Sequence, residues 1–439
     1  MNILLTFLMC LGLTGLSTYT TVHAAQKSLP IERWKTSQGT SVVFYQAMDI
    51  PMLDINLAFR AGTAYDGPRF GLSTLTSRLI NQGNDGLDAT SIATRLENTG
   101  AQYSYENNRD MVLLRLRTLP APELLKQAVD TFSLIASRPD FPENAVEREK
   151  NQQRMAIRHA LESPEDIANQ TFFQALYQNH PYAHPVNGEL KTLDAITVED
   201  VRHFHRTLFA SQNAILVLVG AIETSQAKKI AEQLAQNLPS GKAAPRIKKT
   251  KALTEAVDIN IPFPSSQTVL RLGQLGITHH DPRYFSLMVG NYTLGGGSLV
   301  SRLAEELREK RGLTYGVSSQ FLPLPERGPF IIGLATQSAQ AEKAETLTRE
   351  TLAQFIKTGP SRDELKAAQE YLVGSFPLSL ASNQSMASML LRMTFYQLPD
   401  DYLDTYADKI HAVNIEQIKS AFEQNIQPNR LLQVMVGKT

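Results

Sequence analysis

Cysteine is nearly absent: Cys10 is the only one in 439 residues, and no histidine stands between His23 and His159. A single cysteine excludes an intrachain disulfide, a cysteine-ligated zinc site and an iron–sulfur cluster. Net charge is missing too, since Lys+Arg and Asp+Glu each number 43. Nucleic acid and anionic membranes are held through basic surface, so neither is expected as the main partner. The one local basic run, Lys242, Arg246, Lys248, Lys249 and Lys251, reads as a solvated linker. Beyond residue 24 no stretch is apolar enough to span a bilayer. No Gly-x-Ser-x-Gly elbow occurs, and neither a P-loop nor a dinucleotide fingerprint is present.

What is present begins with a leader. Ile3 to Gly15 is almost wholly apolar and uncharged, and Val22-His23-Ala24 sets small residues before Ala25. This is the pattern of a secretory signal peptide cleaved after Ala24, although no Lys or Arg precedes the apolar run. An uncleaved anchor is the alternative, but the run falls short of the roughly 20 residues that a spanning helix needs. Cys10 lies inside the leader, behind Phe7-Leu8-Met9 rather than the small residue of a lipoprotein site. The mature chain then has no thiol and no cysteine nucleophile. Export without disulfides suits a bacterial periplasm.

Apolar residues make up 42% and charged residues 20%, an ordinary globular composition, and the length implies two domains. The division falls in a Pro-, Gly- and Lys-rich stretch without apolar period. It gives a leader at 1–24, a first domain at 25–240, a linker at 241–256 and a second domain at 257–439. In the first domain Ser41–Gln46, Leu53–Arg60, Ala101–Glu106, Asp110–Thr118 and Ala214–Gly220 read as strands. Helices are expected from near Phe70, over Ala89–Asn98, and over about 121–137 and 142–161. The second domain repeats the order. Strands are expected at Val269–Gly276, Tyr315–Phe321, Phe330–Gln337 and Leu431–Val436, with helices at Tyr284–Leu294, Ser298–Lys310, 340–357 and 361–374. Phe141-Pro142-Glu143 parallels Gly359-Pro360-Ser361 as a helix opening, and Tyr103 parallels Tyr315. A repeat this long means two copies of a domain rather than a solenoid. The expected fold is α+β: two homologous domains, each a mainly antiparallel sheet with helices packed on it, facing each other as a clamshell.

Several segments then point to a family. Phe59-Arg60-Ala61-Gly62-Thr63-Ala64 followed by Phe70-Gly71-Leu72 is similar to the approach to the inverted zinc motif of the pitrilysin/insulinase (inverzincin) metallopeptidases. His180-Pro181-Tyr182, Leu294-Gly295-Gly296-Gly297, Ser301-Arg302-Leu303 and Leu307 through Tyr315 extend the resemblance to the C-terminus. It is nearest the small two-domain branch. That family places His-x-x-Glu-His on the helix after the Gly-Leu step, so that two histidines one turn apart bind zinc and the glutamate polarises water. Here those positions are Thr74, Leu75, Thr76, Ser77 and Arg78. Thr74 is a poor ligand, Ser77 is no general base near neutral pH, and Arg78 is a permanent cation without a lone pair to donate. The family's third ligand, a glutamate on a later helix, falls in Asn151–Leu161, which holds no carboxylate.

The resemblance also implies roles for Arg308 and Tyr315. In the family such a pair comes from the C-terminal domain and holds the substrate carbonyl, where a guanidinium and a phenol stabilise developing negative charge. The plainer reading makes Arg308 one of several charges on a surface helix and Tyr315 the start of an ordinary strand. Gly295, Gly296 and Gly297 would form a flexible, substrate-binding segment that approaches peptide backbone, or else a simple helix-breaking loop. His180 with His184, and His203 with His205, have metal-like spacing but lie in a loop and on divergent helix positions.

The resemblance thus implies a chain that binds no metal or other cofactor itself, with zinc carried by a homologous partner whose motif is intact. This chain would be the non-zinc-binding, peptide-gripping subunit of a heterodimeric periplasmic zinc peptidase, inactive alone. The alternative is a catalytically inactive homologue that serves as a peptide-binding or scaffold protein. A lone peptidase with metal on the four histidines above, and a self-dimer acting as a peptide chaperone, are the further alternatives.

Overall fold

A computed structural model describes residues 29–438; the leader expected over 1–24 lies outside the described residues. The first half holds β1 (Ile31–Lys35), β2 (Ser41–Gln46), β3 (Leu53–Phe59), a short ribbon of β4 (Gly83–Asn84) and β5 (Leu87–Asp88), then β6 (Gln102–Asn107), β7 (Val112–Thr118) and β8 (Ala214–Gly220). Its helices are α1 (Leu72–Leu79), α2 (Ala89–Glu97), α3 (Pro122–Ser137), α4 (Glu143–Ala160), α5 (Pro164–Tyr177), α6 (Leu190–Asp194), α7 (Val198–Leu208) and α8 (Thr224–Asn237). The second half has β9 (Val257–Pro262), β10 (Gln267–Leu275), β11 (Thr314–Phe321), β12 (Pro329–Gln337) and β13 (Leu432–Gly437). Its helices are α9 (Tyr284–Asn291), α10 (Ala341–Thr358), α11 (Arg362–Ser375), α12 (Asn383–Phe395), α13 (Tyr402–His411) and α14 (Ile415–Asn425). No helix or strand lies between Asn237 and Val257.

One sheet runs β1-β2-β8-β3-β7-β6 and the other β11-β12-β10-β13-β9. Pairing is antiparallel except for β2 with β8 and β13 with β9. Without β1, the first sheet has the order and directions of the second. The duplication is therefore carried by topology as well as by sequence pattern.

The central strands explain how the halves join. Every residue of β3 and of β8 (AILVLVG) is buried, so both faces of the first sheet need a cover. On one face Val42, Phe44, Ile55, Leu57, Leu114 and Leu216 pack under helices of the first half. On the other, Val43, Ala58, Leu113, Ile215 and Val217 join the core of the second half, beside Ala387, Leu390 and Leu391 of α12. The exchange is mutual. Ala168, Phe172 and Leu176 of α5 cover Val269, Val434 and Val436 of the second sheet. Each fully buried apolar side chain contributes about 1.5–3 kcal/mol, so the two exchanged helices hold the halves as one body. Polar ties reinforce them: Arg271 of β10 donates to Asn169 Oδ1 at 2.7 Å and pairs with Glu165, both on α5. The halves face each other, and the space between them is occupied by one helix from each.

Two expected helices break in the second half. The one from Tyr284 ends at Asn291 and passes into a wide turn over Tyr292–Gly296, with Gly297 N–H bonded to Tyr292 O. The one expected over Ser298–Lys310 becomes a tight turn at Ser298–Val300 and another wide turn at Ala304–Glu309, where Lys310 N–H reaches Glu305 O at 2.9 Å. Packing accounts for the first break. A Cβ at Gly295 would lie 2.5 Å from Ser319 Oγ and 2.7 Å from Ser319 N, so only glycine lets this segment press on β11.

Candidate substrate-binding site and degenerate metal site

Helix α1 carries the positions where the family's zinc motif would stand. Its N-terminus is held by Asp66, whose carboxylate accepts the N–H groups of Gly71 and Ser73, both at 2.7 Å. Burial pushes the Asp66 carboxyl up to about 8, against the pull of those two bonds. The motif positions are all committed to structural bonds. Thr74 Oγ1 donates to Val186 O at 2.6 Å and accepts from Asn107 Nδ2 at 3.0 Å. Ser77 is fully buried and its hydroxyl bonds back to Ser73 O at 2.8 Å. Arg78 reaches α4, with Nε 3.1 Å from Glu149 Oε2 and Nη2 2.7 Å from Gln152 Oε1.

Glu149 was not among the residues singled out from sequence, because it lies two positions before the stretch Asn151–Leu161. It is a carboxylate from α4 facing the motif helix, and Arg78 neutralises it. Zinc does not fit this donor set: one hydroxyl is spent on a carbonyl, one on its own helix, and the third position is a cation. Among the described residues no group of three or more His, Cys, Asp or Glu is placed to hold a metal ion. The histidine pairs have other partners. His180 Nε2 lies 2.7 Å from Lys248 O, and His184 stacks on Phe70 at 4.3 Å. His205 is buried with Nε2 3.0 Å from Ala136 O, and burial lowers it to about 4, so it is a neutral core residue.

Arg308 and Tyr315 sit on the second half, joined by a short turn in which Gly312 N–H bonds Arg308 O and Leu313 N–H bonds Leu307 O. Tyr315 is 89% exposed, and the Arg308 side chain is 36% exposed with its nearest acid, Glu309, 3.6 Å away. The pairing of β11 with β12 slips between Thr314 and Val317, and Thr314 Oγ1 pins the irregularity by donating to Ala335 O and accepting from Gly316 N–H. Such a bulge re-aims a side chain. A phenol this open contributes little to folding. Leu299 and Val300, on the turn after the three glycines, are also exposed. Gly295 is buried against β11, Gly296 would strike Asn291 and Gly297 Tyr292 if given a Cβ. The glycines therefore permit close packing of this segment, and Gly296 reaches the surface.

A second cluster, not found from sequence, lies where the halves meet. Asp110 is 2% exposed and accepts from Tyr396 Oη at 2.9 Å and Tyr182 Oη at 3.2 Å. Burial pushes its carboxyl up to about 6, opposed by the two phenols. Arg60 lies over the Phe395 ring at 4.7 Å, and His279 stacks on Tyr396 at 3.9 Å.

Comparison with known proteins bears on both halves. The model of insulinase (peptidase family M16) matches residues 42–189, and that of the peptidase M16 inactive domain matches residues 195–372. The chain is 36% identical to a peptidase M16 inactive domain from Pseudomonas fluorescens, whose crystal structure superposes with a TM-score of 0.91 over 94% of this chain and 98% of that one. It is 25% identical over 405 residues to the Helicobacter pylori non-peptidase homolog YmxG, covering 90% of this chain and 91% of the relative. A similar likeness, 25% over 395 residues with 90% and 95% covered, links it to Bacillus subtilis YmxG, named an uncharacterized zinc protease.

Proposed function

Because this chain belongs to the insulinase (M16) peptidase family, we propose that it is the non-zinc-binding, substrate-gripping subunit of a heterodimeric periplasmic zinc peptidase. Its leader would be removed after Ala24 on export. The observation that carries the reading is a contrast between the two halves. Thr74, Ser77 and Arg78 are locked into structural bonds, whereas Tyr315 stands 89% exposed and the Arg308 side chain 36% exposed. An open tyrosine on a pinned bulge adds little to folding, which supports a role in contact with a substrate.

The partner supplies the zinc in this reading. Arg308 and Tyr315 place a guanidinium and a phenol on the substrate carbonyl, where charge builds as the bond is attacked. Gly295 packs inward, while Gly296 and Gly297 are open enough for their backbone to come close to the peptide. The free edges of β6 and β11 can take an extended peptide by strand addition, with little demand on its sequence. Since α5 and α12 fill the space between this chain's own halves, the peptide chamber is closed by the partner.

The second reading, an inactive homologue acting as scaffold or peptide binder, draws on the non-peptidase name of the Helicobacter pylori relative. Size-exclusion chromatography of this chain with a homologue that keeps His-x-x-Glu-His separates the two. A 1:1 complex whose zinc all resides in the homologue is the expected outcome. Failure to associate at micromolar concentration would leave the scaffold reading in its place.

A further inference from the structure

We infer that the cavity where the two halves meet binds a small, singly charged carboxylate with a compact apolar body, its carboxylate held by Arg60. The inference does not depend on a zinc-bearing partner. The cavity measures about 280 Å³ and is lined by Arg60, Tyr65 and Asp110 from the first half and by His279, Phe395 and Tyr396 from the second. The linker, from Ala244 to Ile247, forms another wall. That volume is at the small end of the range for small-molecule sites.

Arg60 supplies the charge. Its guanidinium forms no ion pair among the described residues. One donor goes to Phe395 O at 2.9 Å and the flat group lies over the Phe395 ring. Most of its planar fork is therefore left for a ligand, and that fork matches a carboxylate. His279 Nδ1 is buried without a hydrogen-bond partner on the same wall, and Arg246 adds positive charge at the rim.

Asp110 forms no direct ion pair with Arg60, since each of its oxygens accepts from a tyrosine hydroxyl, although its charge still acts on Arg60 through space. With Glu326 also lining the cavity, it disfavours a doubly charged phosphate. Tyr65 and Phe395 offer the apolar surface. Two sources share this chemistry: a free organic acid, and the C-terminal residue of a short peptide. Either would touch both halves and the linker at once.

Titration calorimetry on the full mature chain tests the site, with N-acetylphenylalanine, its amide, benzoate and inorganic phosphate as probes. N-acetylphenylalanine should bind, and its amide should bind roughly tenfold or more weakly, the equivalent of one charge-assisted bond. Arg60→Gln should cause a similar loss, and Arg246→Ala, on the exposed linker, a loss of about threefold. Benzoate binding as well as N-acetylphenylalanine assigns the site to free acids; binding of N-acetylphenylalanine alone assigns it to peptide ends. If Arg60→Gln does not fold, Arg246→Ala decides. Equal affinity for acid and amide, tighter binding of phosphate, affinities unmoved by the substitutions, or no binding at millimolar probe overturns the proposal.

Discussion

Replacing Arg78 by methionine isolates what the degenerate motif now does. The change leaves Glu149, its side chain 8% exposed, facing α1 with only Arg148 near, Nε 3.5 Å from Oε1. Removing one partner of a fully buried ion pair costs about 3–5 kcal/mol. The Arg78 side chain is 26% exposed, so water and Arg148 recover part of that, and a loss of about 1–3 kcal/mol is expected. Adding Glu149→Met removes the stranded charge and lets α1 and α4 meet through apolar contact. The double variant should then be less destabilised than the sum of the singles by about 1–2 kcal/mol. Urea denaturation followed by circular dichroism reads both quantities, provided the m-values agree among variants. A loss below about 0.5 kcal/mol for Arg78→Met, or strict additivity in the double variant, would refute the idea that this pair joins α1 to α4.

Three further outcomes follow from the packing and the charges. Gly295→Ala forces a Cβ to within 2.5 Å of Ser319 Oγ, so it should cost about 1–3 kcal/mol and loosen the exchange protection of β11 amides. Leu390→Ala empties a fully buried site in the exchanged helix α12, costing about 2–5 kcal/mol and shifting the melting of both halves together. Asp110 binds a proton in the folded state up to pH about 6, whereas the unfolded side chain releases it near its ordinary value of 3.8. Its contribution is therefore fully present below the unfolded value and is lost as pH rises through 6, with a difference of about 3 kcal/mol at most. Asp110→Asn should flatten the dependence of the urea midpoint on pH in that window relative to the parent; an unchanged slope would count against it.

Much of the fold was legible because its strands are short, β-branched and bounded by turns. Ala214–Gly220 appears as expected, the strand expected over Leu53–Arg60 ends one residue earlier at Phe59, and the repeat of strand order carries into the sheet topology. The exchanged helices were not singled out. Both α5 and α12 are buried on more than one side, so their apolar residues form no clean stripe, and nothing local says that each will cover the other half's sheet. The wide turn at Tyr292–Gly296 escaped for a related reason, since the close contact of Gly295 with Ser319 of β11 adds to the helix-breaking tendency of the three glycines. At the motif, the family resemblance located Thr74, Ser77 and Arg78, and their chemistry marked them as poor zinc ligands. The Arg78–Glu149 pair needed three dimensions, as did the Asp110 cluster, whose members come from segments as distant as Arg60 and Tyr396.

Peptide hydrolysis reads the proposed division of labour between this chain and a zinc-bearing partner. This chain, a homologue with an intact zinc motif, and their mixture would each be assayed on a fluorogenic peptide, with zinc measured alongside. The account predicts full activity only in the mixture, lowered about 100-fold or more by Arg308→Ala or Tyr315→Phe without loss of the complex. Zinc and activity in this chain alone, or a mixture indifferent to both substitutions, would contradict it.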